Sequence, residues 1–242
     1  MISFFTHHKS GSSALVSFLG QLSDGSGQPL FLSHLGSTRP PTGDGICCLS
    51  NAQYDVVKGH VPGFALHLVR NPLNIVQSAY YSHRHTHGLD GWPQLAAQRE
   101  MLKSVDKPHG MLMTATFCNS EEFYPETAGP LYAIRNWNYD DPAIKTLRIE
   151  DGFDKFTDFL RAALGEASGS LKWPDQANFT FEKLSVGRRA GEIDDGSHYR
   201  SGDVDAWKTE LPAEVVRYVV SECREVLERF YPESLKWAQD HF

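Results

Sequence analysis

Two short segments of this chain carry residues able to grip phosphate. The first runs Phe4-Phe5-Thr6-His7-His8-Lys9-Ser10-Gly11-Ser12-Ser13-Ala14-Leu15. An apolar strand gives way to a small-residue turn, and the turn opens a helix. The first amides of a helix have no intrahelical acceptor, so they present N–H groups to an anion, and Gly11 lets that anion come close. Lys9 adds a full charge, and the Ser12 and Ser13 hydroxyls add donors. The same residues would also suit a solvated, serine-capped helix start. The spacing is not that of a Walker loop, because Lys9 precedes the glycine instead of following it. The second segment, Ala65-Leu66-His67-Leu68-Val69-Arg70-Asn71-Pro72, is a strand ending in arginine and running into a helix start, with Ser78 on the helix beyond. The carboxyl end of a parallel strand is where open α/β sheets bind ligands. A guanidinium there can hold a phosphate bidentately, and a serine on the next helix can add a contact. An ordinary strand-end ion pair is the competing use of Arg70 and would contribute little.

Such segments need a sheet to hold them. Hydrophobic patterning predicts strands over 2–6, 54–60, 64–69 and 144–149. Helices are predicted over 12–22, 72–81, 92–103, 128–138, 153–164 and 215–230, with Pro72 suited to a first helical turn. The stretches 37–45 and 165–175 read as surface loops. Strands alternating with helices predict an α/β fold: a single domain over 1–242, with a central, mainly parallel sheet flanked by helices and a strand–phosphate-loop–helix at the N-terminus. The 242 residues are 40% hydrophobic and 12% aromatic, enough for a substantial core and too apolar for a disordered chain. A net charge of −7 argues against a nucleic-acid partner, so any site for a polyanion must gather its cations locally. Four cysteines without a CxxC pair or zinc-ligand spacing fit reduced thiols and a cytoplasmic location. Neither a secretory signal nor a membrane-spanning run is expected.

The two segments resemble the nucleotide-binding motifs of the PAPS-dependent sulfotransferases. Lys9, Ser10, Gly11, Ser12 and Ser13 match that family's K-[ST]-G-[ST]-[ST], which holds the 5′-phosphosulfate. Arg70 and Ser78 match R-[ND]-P-x5-S, which holds the 3′-phosphate. Further similarities follow in the family's order along the chain. Residues 147–152 resemble the Y-E-D-L strand end. Phe179-Thr180-Phe181 resembles the T-S-F segment over the adenine. Arg200-Ser201-Gly202, followed by Trp207-Lys208, resembles the R-K-G-x-x-G-D-W-K loop that closes on the 3′-phosphate. The chain departs from the family at Ala14 and Ile149, where aromatics are usual, which leaves adenine stacking to Phe181 or another aromatic. Ser201 replaces a lysine, so the last loop has one cation fewer.

The resemblance implies transfer of a sulfuryl group from PAPS to a hydroxyl or amine, with PAPS as co-substrate and no metal. Lys9 is suited to stabilise charge on the bridging oxygen as the nucleotide leaves. Lys58-Gly59-His60-Val61-Pro62 resembles K-T-H-L-P, which makes His60 the expected base, with Glu100, Glu121 or Glu122 as substitutes. His83, His85 and His87 alternate as metal ligands would in a strand, but they diverge on a helix. Tyr80, Tyr81, His83 and His85 either border the acceptor pocket or pack in the core, as do Trp137 and Trp207. The acceptor is open among small molecules, carbohydrates, lipids and peptides, and oligomeric state is not readable. Two rival functions remain. An ATP-dependent small-molecule kinase would need a Walker glycine and a magnesium carboxylate, and a nucleotide-binding protein could have lost catalysis.

Overall fold

The computed structural model describes residues 1–61 and 63–242; Pro62, the end of the Lys58–Pro62 segment, lies outside the described residues. Among the described residues, five strands form one sheet in the order β2-β3-β1-β4-β5, and every pairing is parallel. They are β1 (Ile2–Phe5), β2 (Leu30–Ser33), β3 (Ile46–Leu49), β4 (Phe64–Val69) and β5 (Ile144–Arg148). The architecture is α/β with helices on an all-parallel sheet. By its contacts the chain divides into two compact units, Met1–Arg70 with Trp137–Gly187 and Asn71–Asn136 with Arg188–Phe242.

The first unit holds the whole sheet. Successive side chains of a strand point to opposite faces, and β1 uses both. Phe4 joins Leu15, Phe18 and Leu19 of α1 (Ser12–Ser26) and Phe156 and Leu160 of α7 (Gly152–Leu164) in one core. Phe5 joins Cys47, Leu49, Ala65 and Trp137 in the other, capped by Val57 of α2 (Tyr54–Val57). Burial on both faces explains why β3, Ile46-Cys47-Cys48-Leu49, shows no alternation and gives no strand signal in the sequence. Its two thiols, pushed up to about 12 by burial, stay protonated. Neither β2 nor β3 was expected. The strand expected over 54–60 is instead the single helical turn α2, which brings Val57 onto the sheet.

The second unit is helical. Its α3 (Pro72–Tyr81) starts as the sequence predicts, with Pro72 in the first turn and the Asn71 side chain accepting the Leu73 amide at 3.0 Å. A single π-helical turn, Ser82–Thr86, follows, then α4 (Pro93–Ser104), α5 (Lys107–Cys118) and α6 (Pro130–Arg135). The chain returns from the first unit, where α8 (Phe181–Leu184) lies, to form α9 (Trp207–Glu210), α10 (Ala213–Glu222), α11 (Arg224–Phe230) and α12 (Pro232–His241). The helix expected over 215–230 is two helices, because Cys223 leaves helical geometry at φ −113°, ψ 28°. That expected over 128–138 shortens to α6, while α1 extends to a left-handed Gly27 cap. No helix among the described residues is long and apolar enough to cross a membrane.

Candidate nucleotide site

The turn between β1 and α1 is tightly held. The Ser10 amide donates to the His7 carbonyl at 3.0 Å, and the Thr6 hydroxyl donates to the Ser10 carbonyl at 3.3 Å. Lys9 sits at φ 62° and Gly11 at φ 76°. A lysine in the left-handed region costs about 1 kcal/mol or more and persists only where its surroundings impose it. Here the imposing group is Arg70, whose Nη1 donates to the Lys9 carbonyl at 2.7 Å. Because β1 and β4 are hydrogen-bonded, parallel neighbours, the turn after β1 and the segment that begins at Arg70 leave the same edge of the sheet side by side. Lys9 and Arg70 are thus brought together, although the sequence separates them by 61 residues.

Helix α1 is prepared for an anion. It has no acidic residue in its first turn, and no side chain caps its N-terminus. Its first intrahelical bond runs from the Leu15 amide to the Gly11 carbonyl, which leaves the Ser12, Ser13 and Ala14 amides without helical acceptors. The macrodipole adds to their attraction for negative charge. Glycine is needed at position 11, since a Cβ there would stand 2.9 Å from Cγ1 of Ile149, in a conformation that other residues rarely adopt. Ile149 therefore abuts the phosphate turn, where the family pattern places a tyrosine. The Ser10 hydroxyl oxygen is fully buried with no protein partner. Together with the helix-start amides, that orphaned donor fits a phosphosulfate.

The remaining expected residues fall into three groups. Phe181 is half-buried and opens α8, whose N-terminus is capped by the Thr180 side chain. Ser78, partly exposed on α3, and the Arg200–Ser201–Gly202 segment share the second unit. There Asn74 of α3 donates to the Val204 carbonyl at 2.9 Å, tying the C-terminal loop to the helix that carries Ser78. Arg200 is not presented as a bare cation. It forms a bidentate pair with Glu210 at 2.9 and 3.1 Å, binds Asp195 through Nε at 2.6 Å and lies 3.5 Å above the Tyr81 ring. Tyr81 donates its hydroxyl to Glu210, and the Lys107 ammonium stands 3.7 Å from the same carboxylate. Burial alone would raise the Glu210 pKa. The hydrogen bonds from Arg200 and Tyr81, with the charges of Arg200 and Lys107, outweigh burial and hold it below its ordinary value.

His60 is not brought to this edge. It follows α2 and precedes β4, so it stands at the amino edge of the sheet, whereas Lys9 and Arg70 leave the carboxyl edge. The six residues of β4 between these edges span about 20 Å. The expectation of His60 as a base beside Lys9 is therefore corrected by topology: the resemblance to K-T-H-L-P is local, and it leaves His60 at the opposite end of β4 from Arg70. Among the proposed substitutes, Glu100 pairs with Lys103, Glu121 accepts from Tyr132, and Glu122 is exposed. His83 and His85 lie in the π-helical turn and His87 just beyond it; His83 is buried with Nδ1 2.9 Å from Oε1 of Gln98. Among the described residues, no three His, Cys, Asp or Glu side chains gather as metal ligands. Trp137 and Trp207 are core residues, as is Tyr80. Sequence reasoning missed Glu210, Asn74 and a buried pair, His7 and His67. Only the last left a signal, one histidine two residues beyond β1 and another inside β4.

An all-parallel five-stranded sheet flanked by helices matches the fold of the sulfotransferases. The chain is similar to the crystal structure of mouse sulfotransferase SULT7A1 complexed with PAP, with a TM-score of 0.57 and 12% identity, covering 98% of this chain and 88% of that one. It is also similar to retinol dehydratase in complex with androsterone and the inactive cofactor PAP, with a TM-score of 0.52 and 12% identity, covering 95% of this chain and 81% of that one. No protein-family model and no curated protein matches the chain.

Proposed function

We propose that this protein is a PAPS-dependent sulfotransferase that moves a sulfuryl group to a hydroxyl or amine of a small-molecule, carbohydrate, lipid or peptide acceptor. The observation that carries the reading is the bond from Arg70 to the Lys9 carbonyl, which joins the two phosphate-gripping segments at the carboxyl edge of the sheet. The PAP held by both structural neighbours supports the same ligand class here. In this scheme residues 1–242 act as one sulfotransferase domain. Lys9, Ser10 and the amides of Gly11, Ser12 and Ser13 hold the 5′-phosphosulfate. Arg70, with Ser78 and Arg200–Ser201–Gly202, takes the 3′-phosphate, and Phe181 covers the adenine.

The acceptor oxygen or nitrogen bonds to sulfur as the bridging sulfur–oxygen bond breaks, in line, and the acceptor's proton leaves to a base. Lys9 stabilises the charge that develops on the bridging oxygen, a contribution that grows along the reaction. Helix-start amides offset charge on the phosphate, so the donor set needs no metal. His60 has no part in this scheme, given its edge of the sheet. Buried, protonated thiols support a reducing, cytoplasmic setting.

Calorimetry with adenosine 3′,5′-bisphosphate, ADP and ATP tests the reading. The bisphosphate should bind tightest, because only it engages both phosphate sites. Tighter binding of ATP would point to phosphoryl chemistry instead. Labelled PAPS offered with panels of phenols, sugars, lipid alcohols and peptides then identifies the acceptor, and binding without transfer to any of them would indicate lost catalysis.

A further inference from the structure

Beneath the phosphate turn lies a buried pair of imidazoles that the proposed chemistry does not use. Sheet register sets Phe5 beside His67 and His67 beside Thr146. Alternation along each strand then carries His7, two residues beyond Phe5, to the same face as His67. Their Nε2 atoms are 2.7 Å apart, and neither side chain is more than 1% exposed. Trp137 stacks flat on His67, with ring centroids 3.9 Å apart and planes 12° apart, which fixes the plane of that ring. On the far side, Nδ1 of His67 meets the Thr146 hydroxyl at 3.2 Å. Burial drives His7 down to about 3, and burial with the proximity of His7 takes His67 well below its ordinary value.

We infer that His7 and His67 are positioning residues: a neutral imidazole pair of fixed tautomer that anchors the turn on which Lys9 stands. Two neutral rings sharing one Nε2···Nε2 contact have a single proton between them, so two arrangements exist. In one, the Thr146 hydroxyl donates to Nδ1 of His67, Nε2–H of His67 donates to His7, and His7 must carry its own proton on Nδ1. That Nδ1 is buried without a partner, so this arrangement strands an N–H donor. In the other, Nδ1–H of His67 donates to Thr146, Nε2–H of His7 donates to His67, and Nδ1 of His7 is a bare lone pair. Buried orphan N–H groups are rarer than under-satisfied acceptors, and each costs about 1–3 kcal/mol. The second arrangement is therefore the stable one.

This geometry reaches the phosphate turn through one residue. The main chain of His7 accepts the Ser10 amide, and its side chain is held by β4, the strand that leads into Arg70. Arg70 grips the turn from its outer side at the Lys9 carbonyl, and the imidazole pair grips it at its root. Two independent ties to one strand leave the turn little freedom to carry Lys9 away. The inference rests on the proposed phosphate role of this turn.

Its test has two arms. Long-range proton–nitrogen NMR on protein labelled with ¹⁵N-histidine, at pH 7.5, should find His67 protonated on Nδ1 and His7 on Nε2. Reversed tautomers, or an imidazolium at either position, would overturn the inference. In the second arm, PAP binding is measured by calorimetry for wild type, His7→Gln and His7→Phe. Glutamine's amide can replace the Nε2–H donor, so His7→Gln should stay within about three-fold of wild type, whereas His7→Phe should weaken PAP by about ten-fold or more. Equal binding by all three, or equal loss in both variants, would remove the positioning role. Should His7→Phe not fold, the tautomers and His7→Gln decide the matter. A wild-type protein that takes the NMR pattern but binds no PAP would instead overturn the phosphate reading, and the positioning role with it.

Discussion

Arg70 and Arg200 are both expected at one phosphate, yet the molecule treats them differently. Arg70 donates through Nη1 to the main-chain carbonyl of Lys9, a bond that orients its guanidinium. Arg200 is clasped by Glu210 and Asp195 and covered by Tyr81. Sequence similarity ranks the two arginines as equals, and side-chain partners separate them. A carbonyl partner leaves electrostatic attraction for a ligand, whereas a carboxylate pair must be exchanged before a phosphate can take its place. For a chain of net charge −7, this matters more than the number of cations.

The largest effect should come from the group whose interaction, on the proposed reading, strengthens most as the bridging bond breaks. Lys9→Ala should lower the rate of sulfuryl transfer by about 10²–10³-fold while changing PAP affinity little, as read by single-turnover kinetics beside calorimetry. Next is Arg70→Ala, which removes the tie to the Lys9 carbonyl and, on the proposed reading, a contact to the 3′-phosphate. The Kd for PAP should rise by about 10–100-fold, and that for ADP far less. If Arg70→Ala and Arg200→Ala weaken PAP equally, the contrast between the two arginines fails. Glu210→Gln should act in the opposite direction, tightening PAP about three-fold by loosening the clasp on Arg200. Weaker binding would mean that Glu210 holds Arg200 in its working position.

The same carboxylate gives a pH test. Its folded pKa lies below the ordinary value of 4.5, so the stability it contributes is fully present above about pH 4.5 and is lost as pH falls through the folded value. The Tm advantage of wild type over Glu210→Gln, followed by calorimetry, should therefore shrink as the pH drops below 4.5. The smallest effect belongs to His60→Ala. Its distance from the Lys9 edge predicts a change of less than about two-fold in turnover and under about 0.5 kcal/mol in stability. A large loss of turnover would return His60 to the reaction.

What could be read from the sequence follows the range of the interactions involved. The β1–turn–α1 and β4–α3 junctions are legible because glycine, proline and asparagine act within a few residues, as Pro72 and Asn71 do at the start of α3. Helix α5 escaped notice because Pro108 and Gly110 resemble breakers. Pro108 sits in its first turn, Asp106 caps it, and Gly110 is required because a Cβ there would lie 2.9 Å from the Tyr80 ring. Tyr54-Asp55-Val56-Val57 looks extended from its β-branched pair, but it turns into a helix so that Val57 can seal the sheet. The clasp on Arg200 joins residues 81, 107, 195 and 210, and no local rule links positions that far apart. His60 failed for the converse reason: a five-residue similarity carries no information about which end of a strand it adjoins.

One feature of the core reaches beyond the site. All four cysteines are buried and none forms a disulfide, and the thiols of Cys47, Cys48 and Cys223 stand at about 12. Maleimides and alkylating agents react with thiolates, so the native protein offers them almost nothing. A cysteine placed at Met101, exposed on α4, would then be the one position to take a fluorophore or spin label, with no need to strip the natural cysteines first. The molecule is built as its own blank background for site-directed spectroscopy.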